Sequence, residues 1–450
     1  MRAHPCRRTT PTRSPRSTLE RVTPDRTNTP KPPSTGNPWL GHLGGSRDYR
    51  RIQLAMLCAG FATFAQLYAP QALLPEISTT FAIDPATAAL MVSMGTLGVA
   101  ISVLPWSIAA DRMGRVRAIT ISISSATILG LLMILMPSFE LALVLRLLEG
   151  IALGGVPACA IAYLNEELHP TAAAGAAGTF VAGNTLGGLG GRIVPTPVAE
   201  LLDWRLGLLT VSLISVAMAV LFIWLIPKPR GFAPLAKNAG GTLGASIGRA
   251  WKAITAHLSS TRMLGLFAQG FFLMGGFVAV YNFLGFHLTQ APYFLPVWLV
   301  SLVFVTYLAG SFSSPFIARL AGRHGRKLVL LASTAISLGG LALTLSPQLW
   351  LVITGLAIFT AAFFGAHSVA VGWAGAYPSR GRAQATALYN LGYYGGSSIF
   401  GFLGGVFFQH FDWPGVIWMV GGLTIIAGLL ALFLLPWKGE TAATQAIRVP

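Results

Sequence analysis

Apolar runs of 18 or more residues recur along this chain from Arg51 to about residue 436. Each is long enough to cross the ~30 Å hydrocarbon core of a bilayer as a helix. Backbone in lipid finds no water to bond, so runs of this length must satisfy their own N–H and C=O groups within a helix. The runs predict spans near 52–74, 87–109, 117–136, 140–165, 172–194 and 205–226. A polar interval follows, then spans near 263–288, 296–319, 328–346, 349–376, 383–408 and 414–436. Numbered 1 to 12 in that order, they describe an all-α membrane protein with twelve transmembrane helices. Charged residues make up only 10% of the chain, against about a quarter in soluble proteins. A soluble surface of this size could not be covered with so few.

The twelve spans fall into two sets of six that echo each other. A charged turn, Ser107 to Arg117 (SIAADRMGRVR), joins spans 2 and 3. A weaker copy, Ala318 to Lys327 (ARLAGRHGRK), joins spans 8 and 9. Arg112 aligns with Arg323, Gly114 with Gly325 and Arg115 with Arg326, an offset of 211 residues. Leu202-Asp203-Trp204-Arg205 before span 6 returns as Phe411-Asp412-Trp413-Pro414 before span 12, offset 209, and Pro137 returns as Pro347, offset 210. Marks this consistent imply a parallel duplication of two pseudo-symmetric six-helix bundles, 51–226 and 263–437, joined by a linker, 227–262.

Loop charges set the expected orientation. An even number of spans puts both termini on one side, and the loops and tails of that side carry 28 of the 31 Lys and Arg residues. The remaining three, Arg146, Arg192 and Arg205, lie in or at the edges of helices. The opposite loops carry none, so both termini and the charged turns are expected in the cytoplasm of a multi-pass protein of the cell (inner) membrane. The net charge of +17 is therefore a topology signal and excludes a nucleic-acid surface as its explanation. Residues 1–50, rich in Arg, Pro, Ser and Thr, read as a disordered basic tail with no apolar core to fold around, and 438–450 as a short cytoplasmic tail. Within the linker, residues 245–258 fit an amphipathic helix on the anionic leaflet, or a solvated connection. Cys6, Cys58 and Cys159 are too scattered for a disulfide framework or metal site and read as buried thiols.

With the repeat and the turn established, residues of about 50–438 resemble the major facilitator superfamily, and within it the drug and metabolite:proton antiporter (efflux) branch. Ala110 to Arg117 looks like that family's signature between helices 2 and 3. Gly114 permits the positive φ of a tight reversal, and Asp111 is expected to pair with an Arg and sit at the start of the next helix. The resemblance implies that Asp111, Arg112, Gly114 and Arg115, with Arg323, Gly325 and Arg326, latch a cytoplasmic gate in the outward-facing state. Fixing topology alone is the plainer role. Ser107 stands where the family usually has Gly, and Gly322 replaces the Asp in the second copy, so the echo's electrostatic part is expected to be weaker.

Arg146-Leu147-Leu148-Glu149-Gly150 in span 4 resembles the family's second motif. Charge within a bilayer is costly unless paired or hydrated, and residues three apart share a helix face. Glu149 is the one acid expected well inside a helix, with none in span 1, so Glu149 with Arg146 is the expected proton-coupling pair; a static ion pair is the other reading. In span 5, Gly183, Gly187 and Gly191 form a four-residue ladder for close helix approach, resembling the efflux branch's antiporter motif. Arg192 stands where that motif ends in Gly; it is expected to reach outward to water, or to serve a gate or a ligand. Asn390, Gly392 and Gly396 in span 11 echo the pattern, and these glycines are expected to be surfaces on which helices slide. Gln66, Tyr68 and Gln71 of span 1, Tyr281 and Asn282 of span 7 and His367 of span 10 are the expected cavity residues, since the family lines its path with spans 1, 4, 7 and 10.

The sequence contains no Walker loop, catalytic triad, paired carboxylates of catalytic spacing or metal cluster. No cofactor and no enzyme activity are expected. The expectation is a monomeric secondary transporter that exports small organic molecules by proton antiport and alternating access. Proton-coupled import on the same fold, or a receptor that kept the fold, are the alternatives.

Overall fold

A computed structural model describes residues 39–232, 243–378 and 381–437. Most of the expected N-terminal tail (1–38), linker residues 233–242 and the expected C-terminal tail (438–450) lie outside the described residues. From Leu40 onward the chain forms one unit. Among the described residues its regular structure is helical, apart from an isolated bridge between His42 and Leu168.

Among the described residues, ten segments are long and apolar enough to cross a membrane. One of them, Gln384–Leu434, holds two spans: the helical run is broken at Asp412, where φ is 50° and ψ −150°. A further helix, Pro170–Ile193, is so rich in Gly and Ala that its hydropathy is low. Together these give the twelve expected spans. Span 1 is Arg47–Phe81, span 2 Pro85–Met113, span 3 Arg115–Leu135, span 4 Phe139–Glu167 and span 6 Trp204–Leu225. In the second half, span 7 is Thr261–Thr289, span 8 Val297–His324, span 9 Arg326–Leu343 and span 10 Leu349–Ala376. The linker contributes a helix, Leu243–Leu258, whose His257 Nε2 lies 3.0 Å from the Gly381 carbonyl.

Span 1 corrects the sequence reading. It does not stop near residue 74 but runs as a helix to Tyr68, tightens to a 3-10 turn at Ala69–Leu73 and resumes as Leu74–Phe81. Pro70 is the cause: it has no N–H for the Gln66 carbonyl four residues back. The extension brings Glu76 into the span, so the expectation of an acid-free span 1 is wrong. Span 4 is likewise interrupted, at Gly154, where Pro157 removes the donor for the Leu153 carbonyl.

The duplication is visible in backbone geometry. Gly114 has φ 93° and ψ 149°, and Gly325 has φ 95° and ψ 140°, a region open essentially to glycine. Each donates its N–H at 3.0 Å to the carbonyl four residues back, Ala110 and Ala321. Asp203 caps span 6 by accepting from the Arg205 N–H at 2.6 Å, and its echo Asp412 marks the break before span 12. Trp204 and Trp413 are both buried.

Glycines bring helices together within each half. A Cβ on Gly183, Gly187 or Gly191 would strike the backbone of Leu57, Phe61 or Ala65. The matching four-residue steps mean spans 1 and 5 run parallel and touch along a small-residue seam. In the second half, Gly392 and Gly396 of span 11 face the Phe267 and Phe271 carbonyls of span 7, and Asn390, also of span 11, is half-buried. These glycines therefore fasten helices inside a half rather than forming a sliding surface between halves. Gly401 and Gly405 do meet the other half, at Ser93 and Ala86.

The halves are joined by Gln71 to Asn282 at 2.7 Å, Ser398 Oγ to the Ser93 carbonyl at 2.9 Å and Thr196 to Ser301 at 2.8 Å. The Trp298 N–H donates to Glu200 at 3.2 Å, and the Gln409 amide donates to Asp84. These links gather at or beyond the helix midpoints, on the side away from the charged turns.

Candidate functional site

The charged turn is built around Arg115. Its Nη2 lies 2.5 Å from Asp111 Oδ1, and its Nε donates to Glu166 Oε1 at 3.1 Å. Asp111 is in the last turn of span 2, not at the start of the next helix, because Gly114 is what ends the span. Glu166, at the end of span 4, was not identified from sequence; nothing local to the turn points to a partner 51 residues away. Glu167 beside it accepts from the Arg230 and Gly231 N–H groups at 2.8 and 2.7 Å, tying the start of the linker to span 4. The partners of Asp111 and Arg115 thus belong to the first half. In the second copy Arg323 and Arg326 are exposed, as is Arg112. There the anchor is Lys327, whose Nζ donates to the Leu432 and Leu435 carbonyls at 2.7 Å each and lies 4.2 Å from the Trp437 ring centre.

Deeper in the first half, Arg146 and Glu149 are both 2% exposed and 2.7 Å apart. Arg146 also donates to the carbonyls of Gln66 at 3.2 Å, Leu67 at 2.7 Å and Met91 at 2.9 Å. The Gln66 carbonyl is the one that Pro70 leaves without a helical partner, so the guanidinium caps the break in span 1. Gly95 leaves room for it: a Cβ there would lie 2.6 Å from Arg146 Nη2. Glu149 borders a small void that Gln66, Pro70, Gly130, Met133, Leu208 and Ser212 also line, with room for about one water. Gln66 Oε1 is buried there with no partner. Gln66 therefore lies inside the first bundle rather than in a cavity between the halves.

Arg192 occupies the interface of the halves. It is 2% exposed, so it does not reach out to water as its place near the end of span 5 suggested. Its Nε donates to Gln71 Oε1 at 2.7 Å and its Nη1 to the Gly188 carbonyl at 2.5 Å. The guanidinium carbon lies 4.3 Å from the Tyr68 ring centre, 4.6 Å from Tyr307 and 5.2 Å from Phe304. Gln71 in turn donates to Asn282 of the second half. The 3-10 turn swings Tyr68 and Gln71 into this position.

The remaining expected cavity residues lie in the second half's aromatic core. The Tyr281 hydroxyl is 2.7 Å from Thr306 and 2.6 Å from Thr360. His367 Nδ1 is 2.9 Å from the Tyr389 hydroxyl, and its ring lies 4.8 Å from that of Tyr393. Tyr307, Tyr389 and Phe304 were not singled out from sequence, where they look like ordinary apolar filling. Glu76 is the other addition: both carboxylate oxygens are buried without a hydrogen-bond partner.

The family description "Major Facilitator Superfamily" matches residues 56–313 and 297–448 of this chain. The uncharacterized MFS-type transporter YybF of Bacillus subtilis is 37% identical over 390 residues, covering 87% of this chain and 95% of that protein. The inner membrane transport protein YnfM of Escherichia coli is 36% identical over 386 residues, covering 86% of this chain and 91% of that protein. Among solved structures, the nucleoside transporter NupG shares the fold with a TM-score of 0.66 at 15% identity, covering 86% of this chain and all of that one.

Proposed function

The chain belongs to the Major Facilitator Superfamily, and from that premise we propose that it exports small organic molecules from the cytoplasm in exchange for protons. It is a multi-pass membrane transporter, not an enzyme. The loop charges support a cytoplasmic position for the charged turns and both termini. In that orientation the links between the halves lie on the outer side, so this conformation is sealed outside.

The Arg146–Glu149 pair, buried beside a small void and bonded to the break in span 1, supports this reading. Glu149 is the proton carrier in this reading. When it is ionised it neutralises Arg146. When a proton arrives, Arg146 loses its counter-charge and holds only backbone carbonyls, two of them at the hinge of span 1. Tyr68 and Gln71, just past that hinge, touch Arg192 and Asn282. Protonation is thus felt where the halves meet, and it biases one of two states that substrate binding biases oppositely. Around the charged turn, Arg115 with Asp111 and Glu166 holds the ends of spans 2 and 4 as one block that can latch the cytoplasmic side when it closes.

The test is a panel of organic compounds added to proteoliposomes that hold the full chain and an internal pH dye. Antiport moves protons against the substrate flow. A pH change of the opposite sign means import by symport, and binding without any counterflow means a receptor.

A further inference from the structure

We infer that the cage around Arg192 is a binding site for an organic carboxylate with a flat, aromatic body. Among the described residues Arg115 has Asp111 and Glu166, Arg146 has Glu149 and Arg205 has Asp203 as acidic partners. Among those same residues no carboxylate stands within ion-pair distance of Arg192; it has an amide oxygen, a backbone carbonyl and aromatic faces. A guanidinium buried at membrane depth without a counter-ion is expensive and is read first as a functional site. Its planar fork suits a carboxylate, with two parallel N–H···O bonds.

A second, independent feature points the same way. The Tyr68 hydroxyl is buried and has no hydrogen-bond partner, although its ring lies against Arg192. A buried hydroxyl left unbonded is a donor awaiting an acceptor. The rings of Tyr68, Tyr307 and Phe304 offer faces for a flat apolar body, which excludes a small inorganic anion as the best fit. A cation is disfavoured by the charge of Arg192 itself.

The cage also explains how such a ligand would act on the halves. Arg192, Tyr68 and Gln71 belong to the first half; Phe304, Tyr307 and Asn282 belong to the second. A carboxylate that takes the Arg192 Nε–H displaces Gln71 Oε1, and Gln71 is the residue that bonds Asn282 across the interface. Anion binding therefore loosens one of the outer links. This inference rests on the transport reading only in treating the bound anion as cargo.

The test is equilibrium binding to the purified full-length protein in detergent, by calorimetry, with three probes of one shape: benzoate, benzyl alcohol and benzylammonium. Benzoate should bind at least about tenfold more tightly than either of the others. Arg192→Gln should weaken benzoate at least about tenfold, Arg192→Lys should retain part of the affinity, and Tyr68→Phe should weaken it a few-fold. Equal binding of benzylammonium, no binding of benzoate at millimolar concentration, or unchanged benzoate binding in Arg192→Gln would overturn the inference. If Arg192→Gln does not fold, the wild-type probe series and Arg192→Lys decide it. No proton gradient is present, so failure here leaves proton-coupled export standing, and failure of proton coupling leaves this site standing.

Discussion

Arg146 donates from Nη2 to the Leu67 carbonyl at 2.7 Å, and the ring of the next residue, Tyr68, lies 4.3 Å from the Arg192 guanidinium. One broken turn of span 1 therefore joins an ion pair inside the first half to the contact between the halves. Removing Arg146 should be severe for a stated reason. Arg146→Met leaves Glu149 as a buried, unpaired carboxylate and strips donors from three carbonyls. A loss of about 3–5 kcal/mol is expected, read as a lower thermal midpoint. The double replacement with Glu149→Leu should recover a large part of it.

How much of this was legible in sequence depends on which force sets each feature. The spans were legible because lipid forces long apolar helices, and the turn glycines because Gly114 and Gly325 need a backbone region that side chains forbid. The path of span 1 was not. The expected span stops at 74, and the Arg146 bonds to the Gln66 and Leu67 carbonyls, at the broken turn beyond which the helix resumes and carries Glu76, are long-range. Of the two readings of Arg192, reaching water fails, although a charge near a helix end normally does so, because the second half covers it with Phe304 and Tyr307. Glu166 could not be found because the Arg115 pair is long-range.

Close helix approach gives a sharper stability test. A Cβ on Gly150 would run into the Gly95 carbonyl, which is backbone and cannot swing away. Gly150→Ala should force spans 2 and 4 apart and cost about 1–3 kcal/mol. Gly178→Ala, which meets open space on span 5, should be neutral or slightly stabilising through helix propensity. Chemical denaturation of both variants checks the contrast.

The charged turn should matter for conformation more than for stability. The Asp111 side chain is 40% exposed, so Asp111→Asn should change stability by less than about 1 kcal/mol. The same change should shift the balance toward the state open on the turn side, because Arg115 loses one of its two acids. Cysteine accessibility labelling on both faces measures this. An unchanged balance would reduce the turn to a topology marker.

Asp84, in the loop before span 2, gives the pH dependence. Burial pushes its carboxyl up, but the Thr87 hydroxyl at 2.6 Å and the Thr87 N–H at 2.9 Å outweigh that and hold it below the ordinary carboxylate range. A lowered folded value means that its stabilisation is complete above the unfolded value of about 3.9 and is lost as pH falls through the folded one. The seal with Gln409 should therefore be insensitive to pH from 5 to 8, in about the range where carboxylates stay ionised. Asp84→Ala should lose about 1 kcal/mol of helix capping and raise labelling of the face away from the charged turns at every pH.

Whether Glu149 carries the proton is decided by proteoliposomes bearing Glu149→Gln. With a transported compound identified, the variant should insert normally and exchange labelled for unlabelled substrate. It should show no proton movement with substrate and no uphill transport under a pH gradient. Proton flux coupled to substrate at the wild-type ratio in that variant would mean that another group carries the proton.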